Sequence, residues 1–300
     1  MSNVQLSNGQ ASVVISPEAG ASLRSLLVAV GGKEHELLAG GGDLPFDPVK
    51  LPHGTGSFIM APWVNRIREG KLIAPDGEHS LPVNSGIHAI HGLVRDRAWD
   101  VVEQTASSAV FEIQLAAPWP YAGKVVYRAS LDRASFRQTL EVHAGKGERP
   151  FPGGVGWHPW FRRSLGGAEL TVQADVEAQW EIDASVTPTG KLAKTAASEK
   201  LAAGSSFQTG EVDGCFLLRE NGGAVVRWPE VTLRMSGTGE ITHVMLYSPA
   251  HAICVEAQTT TVNAAQLAAS GAAQTGTVLV EPERPLTATT VWSWSGAQTA

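Results

Sequence analysis

Four short segments set ionisable side chains in apolar or Gly/Pro-bent surroundings, where burial can shift a pKa. They are Ala61-Pro62-Trp63-Val64-Asn65-Arg66-Ile67, His88-Ala89-Ile90-His91-Gly92-Leu93-Val94-Arg95, Gly156-Trp157-His158-Pro159-Trp160-Phe161 and Cys254-Val255-Glu256-Ala257-Gln258-Thr259. Glu256 carries the strongest signal. It follows the apolar run Ala252-Ile253-Cys254-Val255, and a carboxylate there is costly to bury unless it is paired or its raised pKa is used. Asp213, in Val212-Asp213-Gly214-Cys215-Phe216, poses the same problem more mildly, because Asp before Gly is an ordinary turn residue. A carboxylate and a histidine that share a cleft can remove and deliver protons as a general base and acid.

Each segment also has a plainer reading. A single histidine such as His91 is commonly a hydrogen-bonded structural residue, and Trp157 and Trp160 could both belong to the core. His88 and His91 without a nearby Cys or carboxylate form a poor zinc set, so no metal is expected. As a carboxylate pair, Asp213 and Glu256 would fit a glycosidase at separations of about 5–5.5 or 6.5–9.5 Å, but that leaves the histidines without a part. A non-catalytic sugar-binding module could use the aromatic faces of Trp63, Trp157 and Trp160, yet binding alone does not require a buried acid and base together.

Strands must position these groups. Val125, Tyr127, Ala129 and Leu131 alternate with Val126, Arg128 and Ser130, a turn falls at 132–135, and Phe136, Leu140, Val142 and Ala144 continue on one face with Gln138 breaking the pattern. That spacing predicts a β-hairpin. Similar runs are ASVVIS, LRSLLVAV (23–30), AVFEIQLA (109–116), ELTVQADVEAQWEI (169–182), VTLRMS (231–236), THVMLYS (242–248), HAICVEA (251–257), GTVLVE (276–281) and TTVWSW (289–294). Strands at this density without interleaved amphipathic helices predict an all-β sandwich or barrel and not a βαβ fold. The one helix expected is 263–269, and 187–211 reads as a long loop. No fixed-period repeat or linker divides the chain, so one domain over 1–300 is expected.

Composition narrows the partners. A formal net charge of −6, with basic residues scattered, argues against nucleic acid and an anionic membrane surface. Cys215 and Cys254 make no disulfide framework, and neither a P-loop nor a dinucleotide fingerprint is present, so no cofactor is expected. MSNVQLSNGQ lacks a basic-then-apolar leader and no run approaches about 20 apolar residues, which makes a cytoplasmic monomer or homodimer the expectation.

Taken together, the segments resemble the aldose 1-epimerase family, also called galactose mutarotases. Pro62-Trp63-Val64-Asn65-Arg66-Ile67 is similar to the family's P-x-x-N-R-I, Ile90-His91-Gly92 to L-H-G, and Gly156–Phe161 to G-x-H-P-Y-F. Asp213–Phe216 is similar to D-x-x-F and Glu256–Thr259 to E-P-Q-T, all in order over roughly 17–294. The resemblance implies a large antiparallel β-sandwich, the galactose mutarotase-like supersandwich, with a sugar cleft on one face. It implies that Glu256 is the base on the anomeric hydroxyl and His158 the acid on the ring oxygen. His91 would hold the ring-oxygen region and its developing charge, and Asn65, Arg66 and Asp213 would bind hydroxyls, with Trp157 and Arg95 as further substrate contacts. Opening a hemiacetal needs a proton removed at O1 and one added at the ring oxygen, and this pair can do both.

Three positions depart from the pattern: Met245 stands where galactose-type members carry Gln, Ala257 replaces Pro and Trp160 replaces Tyr. His91-Gly92-Leu93-Val94-Arg95 also resembles the H-G-F-A-R segment of hexose-6-phosphate 1-epimerases, the alternative within the superfamily. Arg66, Arg68, Arg95 and Arg97 could favour a phosphate, but Glu69, Asp96 and Asp100 lie among them and the chain is acidic, so a neutral aldose is expected.

Overall fold

Period-two alternation of side chains decides which residues of each strand face the core. The computed structural model describes residues 3–40 and 54–296. The two ends of the expected 1–300 unit, including Met1 and Ser2, therefore lie outside the described residues, as does 41–53.

Two large sheets dominate. The first holds eleven strands, in the order Val4–Ser7, Ala11–Ser16, Ser22–Val30, Ser57–Met60, Gly156–Arg162, Ala252–Gln258, His243–Tyr247, Asp213–Leu218, Val176–Ile182 and Pro188–Ala193, with Lys33–Glu36 paired beside Ser22–Val30. The second holds eight: Asp100–Gln104, Ser108–Leu115, Gly123–Asp132, Ser135–Ala144, Leu286–Gly296, Val231–Gly237, Gly223–Arg227 and Thr171–Ala174. Neighbouring strands run antiparallel, as in the two central pairings of the first sheet. A single buried cluster joins the facing sides of both sheets. At its centre Phe161 of the larger sheet meets Trp292 of the smaller at 5.5 Å between ring centroids. The fold is the antiparallel β-sandwich expected. Among the described residues, no helix is long and apolar enough to cross a membrane.

The expected hairpin forms from Gly123–Asp132 and Ser135–Ala144, with Tyr127 opposite Leu140 and Leu131 opposite Phe136. Gln138 does not turn outward. It is buried in the core and accepts a 2.9 Å hydrogen bond from the Tyr127 hydroxyl, which satisfies its carbonyl.

Two expectations are corrected. The run 169–182 is two strands, not one: Thr171–Ala174 belongs to the smaller sheet and Val176–Ile182 to the larger, so the chain crosses between sheets at Asp175. The stretch 187–211 is also not one loop. Pro188–Ala193 pairs with Val176–Ile182 as an edge strand, and Ala196–Ala203 is a helix. Thr195 caps that helix. Its hydroxyl accepts from Ser198 N–H at 3.0 Å, and its own N–H donates to the Ser198 hydroxyl at 2.8 Å. Serine takes the place usually held by Glu or Gln, which hides the signal in an Ala/Ser-rich stretch. The expected helix at 263–269 forms over Ala264–Ala269.

Tyr127→Phe leaves the Gln138 carbonyl without its donor and should lower the unfolding free energy by about 1–3 kcal/mol. Tyr127→Phe/Gln138→Leu, which removes both partners, should restore most of that loss in urea unfolding. A neutral single variant would contradict the pairing, as would a double variant no more stable than the single.

Candidate active site

Strand register places chemically unlike residues side by side on the face of the larger sheet turned away from the shared core. In the central strand Gly156–Arg162, His158 stands opposite Phe58 of Ser57–Met60. On its other side, Gly156 pairs with Gln258 and Trp160 with Cys254, which brings His158 opposite Glu256. Glu256 in turn pairs with Met245, and Met245 with Cys215. One step along the strands runs a second row: Trp160, Cys254, Tyr247 and Asp213. The intervening residues Trp157, Phe161, Ile253, Val255, Leu246 and Phe216 all enter the shared core.

This alternation divides the two tryptophans. Trp157, expected to touch substrate, is a core residue with 1% exposure, whereas Trp160 lines the cleft. The cleft is small and partly open, with a cavity volume of about 210 Å³.

Loops complete one wall. Asn65 and His91 both adopt left-handed backbone, with φ of 51° and 63°, and His91 N–H donates to the Asn65 carbonyl at 3.0 Å. Asn accommodates that conformation readily and His less so, and such strain concentrates at functional sites. The next residue must be Gly: Gly92 has φ of +75°, and a Cβ there would lie 1.9 Å from the Ala61 carbonyl oxygen. The Asn65 side-chain oxygen accepts from Arg66 N–H at 2.9 Å and from its guanidinium at 3.3 Å, which orients Arg66 toward the cleft. Behind it, Asn263 N–H donates to the Arg66 carbonyl, tying this loop to the Ala264–Ala269 helix.

At the centre, His158 Nε2 lies 3.2 Å from Glu256 Oε1, with side chains 6% and 2% exposed. Glu256 Oε2 is buried with no hydrogen-bond partner among the described residues. Burial pushes the Glu256 pKa well above its ordinary 4.5, the like charge of Asp213 pushes the same way, and Arg66 opposes both. Asp213 remains open to solvent through the cleft, but the protein packed around it desolvates the carboxyl and raises its pKa against Arg66. The His158 ring is clamped between Phe58, stacked at 4.4 Å, and Trp160, stacked at 4.9 Å. His91 meets it edge-on at 5.3 Å. Glu256, His158, His91, Asn65, Arg66 and Asp213 therefore all line one cleft.

Arg95 does not line it. The buried guanidinium lies over the Phe58 ring at 5.5 Å and donates to Asp96 at 3.1 Å, so it backs the ring that stacks on His158. His88 is structural: Nδ1 accepts from Glu69 N–H at 3.3 Å while Nε2 donates to the Ser185 carbonyl at 2.9 Å. Sequence reasoning passed over Phe58, Met245 and Tyr247 as lining residues. The available signal was their i, i+2 placement on strands beside the polar positions. Among the described residues, His158, Cys254 and Glu256 bring potential metal-ligand atoms within 4.8 Å of one another.

Fold and site thus define an all-β protein with a buried histidine–carboxylate couple in an open cleft on its larger sheet. The family model for aldose 1-epimerase matches residues 2–292, and the chain belongs to that family. It is 30% identical over 172 residues to the protein YihR of Escherichia coli (strain K12). That match covers 54% of this chain and 55% of YihR, so the chain spans about half the length of the curated relative it matches. Among solved structures, it is similar to an aldose epimerase homologue from C. elegans, with a TM-score of 0.84, 16% identity and 99% of each chain covered. It is also similar to a galactose 1-epimerase from Lactobacillus acidophilus NCFM, with a TM-score of 0.78, 18% identity and coverage of 98% of this chain and 94% of the other. At these identities the likeness establishes the fold.

The Glu256 environment has a stability consequence of definite sign. Below the ordinary value of 4.5, folded and unfolded chains both hold the proton; above it the unfolded chain gives the proton up more readily than the fold does. The folded state therefore loses stability as pH rises through that window. Glu256→Gln should be more stable than wild type at about pH 7, with the gap closing near pH 4, by urea unfolding. A variant less stable than wild type at neutral pH would contradict the burial argument.

Proposed function

We propose that the protein is a cofactor-independent aldose 1-epimerase that interconverts the α and β anomers of a neutral hexose. The observation that carries the reading is the 3.2 Å contact between buried His158 and Glu256 inside an open cleft, which binding alone would not require. Glu256 accepts the O1 proton as the C1–O5 bond breaks and O1 becomes carbonyl, while His158 delivers a proton to O5. Rotation about C1–C2 and reclosure through the same groups yields the other anomer, with no net proton change. Burial and Asp213 raise the Glu256 pKa, the direction that makes a carboxylate a stronger proton acceptor. His91, edge-on to His158, supports the developing charge at the ring oxygen. Asn65, Arg66 and Asp213 present donors and acceptors to sugar hydroxyls, and Trp160 offers an apolar face.

The neutral-sugar assignment rests on how the arginines are engaged. Arg66 donates to the Asn65 side chain, Arg68 pairs with Asp183 and Thr187, Arg95 pairs with Asp96, and Arg97 donates to the Gln114 carbonyl. Each guanidinium already has an oxygen partner, a carboxylate for Arg68 and Arg95, so a phosphate would have to compete for it.

NMR exchange between anomers tests both parts. Glu256→Gln should keep its fold and lose about 10²–10⁴-fold in turnover, and near-wild-type exchange in that variant would refute Glu256 as the base. Wild type should favour glucose over glucose 6-phosphate in kcat/KM at fixed ionic strength. A preference of roughly tenfold for the phosphate ester, about 1.4 kcal/mol, would overturn the neutral-sugar reading.

A further inference from the structure

The cleft face of the Ala252–Gln258 strand carries more than the proposed base. Cys254 and Glu256 are two residues apart, so both side chains leave the strand on the same side, while Val255 between them enters the core. Cys254 stands opposite Trp160, and His158 opposite Glu256. A thiol, an imidazole and a carboxylate thus converge from two adjacent strands, with their ligand atoms all within 4.8 Å of one another. All three residues are buried, and Glu256 Oε2 has no hydrogen-bond partner among the described residues.

We infer that His158, Cys254 and Glu256 form a binding site for a soft divalent cation of the Zn²⁺ or Cd²⁺ type, which inhibits the protein by occupying its acid and base. The inhibition, though not the binding, rests on the function proposed above. A tetrahedral zinc ion with bonds of about 2.0–2.3 Å holds its ligand atoms roughly 3.3–3.8 Å apart, so the widest separation here must close by about 1 Å. The His158 ring is held by Phe58 and Trp160, so the closure falls to rotation of Cys254 and Glu256. The donor set is one sulfur, one nitrogen and one oxygen, which suits zinc and cadmium and not magnesium, a cation that requires oxygen ligands in an octahedron. His158 and Glu256 both line the cleft, the side from which an ion reaches the three donors. The ion binds thiolate, neutral imidazole and carboxylate, so any protons on Cys254 and Glu256 pass to solvent as the metal bonds form. With imidazole and carboxylate both on the ion, neither is left to move a proton for a sugar.

The test is Cd²⁺ titration of the chelator-treated full chain, followed by the ultraviolet thiolate-to-cadmium charge-transfer band. The band should saturate near one equivalent, yield to Zn²⁺ and resist Mg²⁺. Cys215, buried beside Gln258 and Thr261 in hydrogen bonds of its own, is the internal control. Cys254→Ala and Cys254→Ser should both lose the band and keep basal anomer exchange, while the Zn²⁺ needed to halve that exchange rises by roughly tenfold or more. Cys215→Ala should keep the band. Absence of a saturating band in wild type would overturn the proposal, as would its survival in both Cys254 variants or its loss in Cys215→Ala alone. Because the band is read without turnover, a chain that binds cadmium but exchanges no anomers would sustain the site and refute the proposed function.

Discussion

Burial of the Glu256 carboxyl beside His158 is the constraint on which the rest of the site depends. A lone carboxylate in the middle of a five-residue apolar neighbourhood is unfavourable by several kcal/mol unless something offsets the lost hydration. Here the offset is partial. His158 meets one oxygen, the Arg66 field reaches the group from the loop wall, and the second oxygen has no partner among the described residues. A site left under-satisfied in this way keeps its carboxyl reactive and gives a ligand hydroxyl a reason to bind. The surrounding structure holds that arrangement in place. Phe58 and Trp160 clamp the imidazole, Arg95 backs Phe58, and two left-handed residues joined by a hydrogen bond set the loop wall.

The same constraint explains why the site sits on the larger sheet. Its central strands Gly156–Arg162, Ala252–Gln258 and His243–Tyr247 are covered on both faces, the inner by the smaller sheet and the outer by the aromatic and loop wall. A strand buried on both sides can hold an ionisable group away from solvent yet open to a cleft at one point. A half-exposed strand, such as Gly123–Asp132 in the smaller sheet, cannot.

Double burial also limited what the sequence could reveal. The hairpin at 123–144 was legible because its outward residues other than Val126 are polar, and the succession of short strands pointed to an all-β fold. In Gly156–Arg162, however, six successive residues are buried, so alternation no longer separates core from cleft, and Trp157 and Trp160 read alike. Pairing register, set only by the tertiary fold, decides between them. His158 and Glu256, 98 positions apart (256 − 158), stood out by chemical type, and their opposition follows from a register that no local pattern encodes. Phe58 carries no ionisable group to mark it, and Met245 was visible only as a departure from the family's Gln. Arg95 was misplaced for a related reason: a charge next to a functional segment looks like a ligand contact until its partners, an aromatic ring and a neighbouring carboxylate, are known. The Ala196–Ala203 helix was hidden by the serine in its capping box.

The most direct test of the central claim, that His158 and Glu256 act as one acid–base couple, is the pH dependence of kcat/KM for anomer exchange in wild type and in Glu256→Gln. Two groups in hydrogen-bond contact titrate as a pair, so the wild-type profile should be bell-shaped with apparent pKa values that belong to the couple. Removing Glu256 should abolish the bell and leave a low, nearly flat residual rate. A bell that survives unchanged in Glu256→Gln would contradict the account, because the titrating groups would then lie elsewhere.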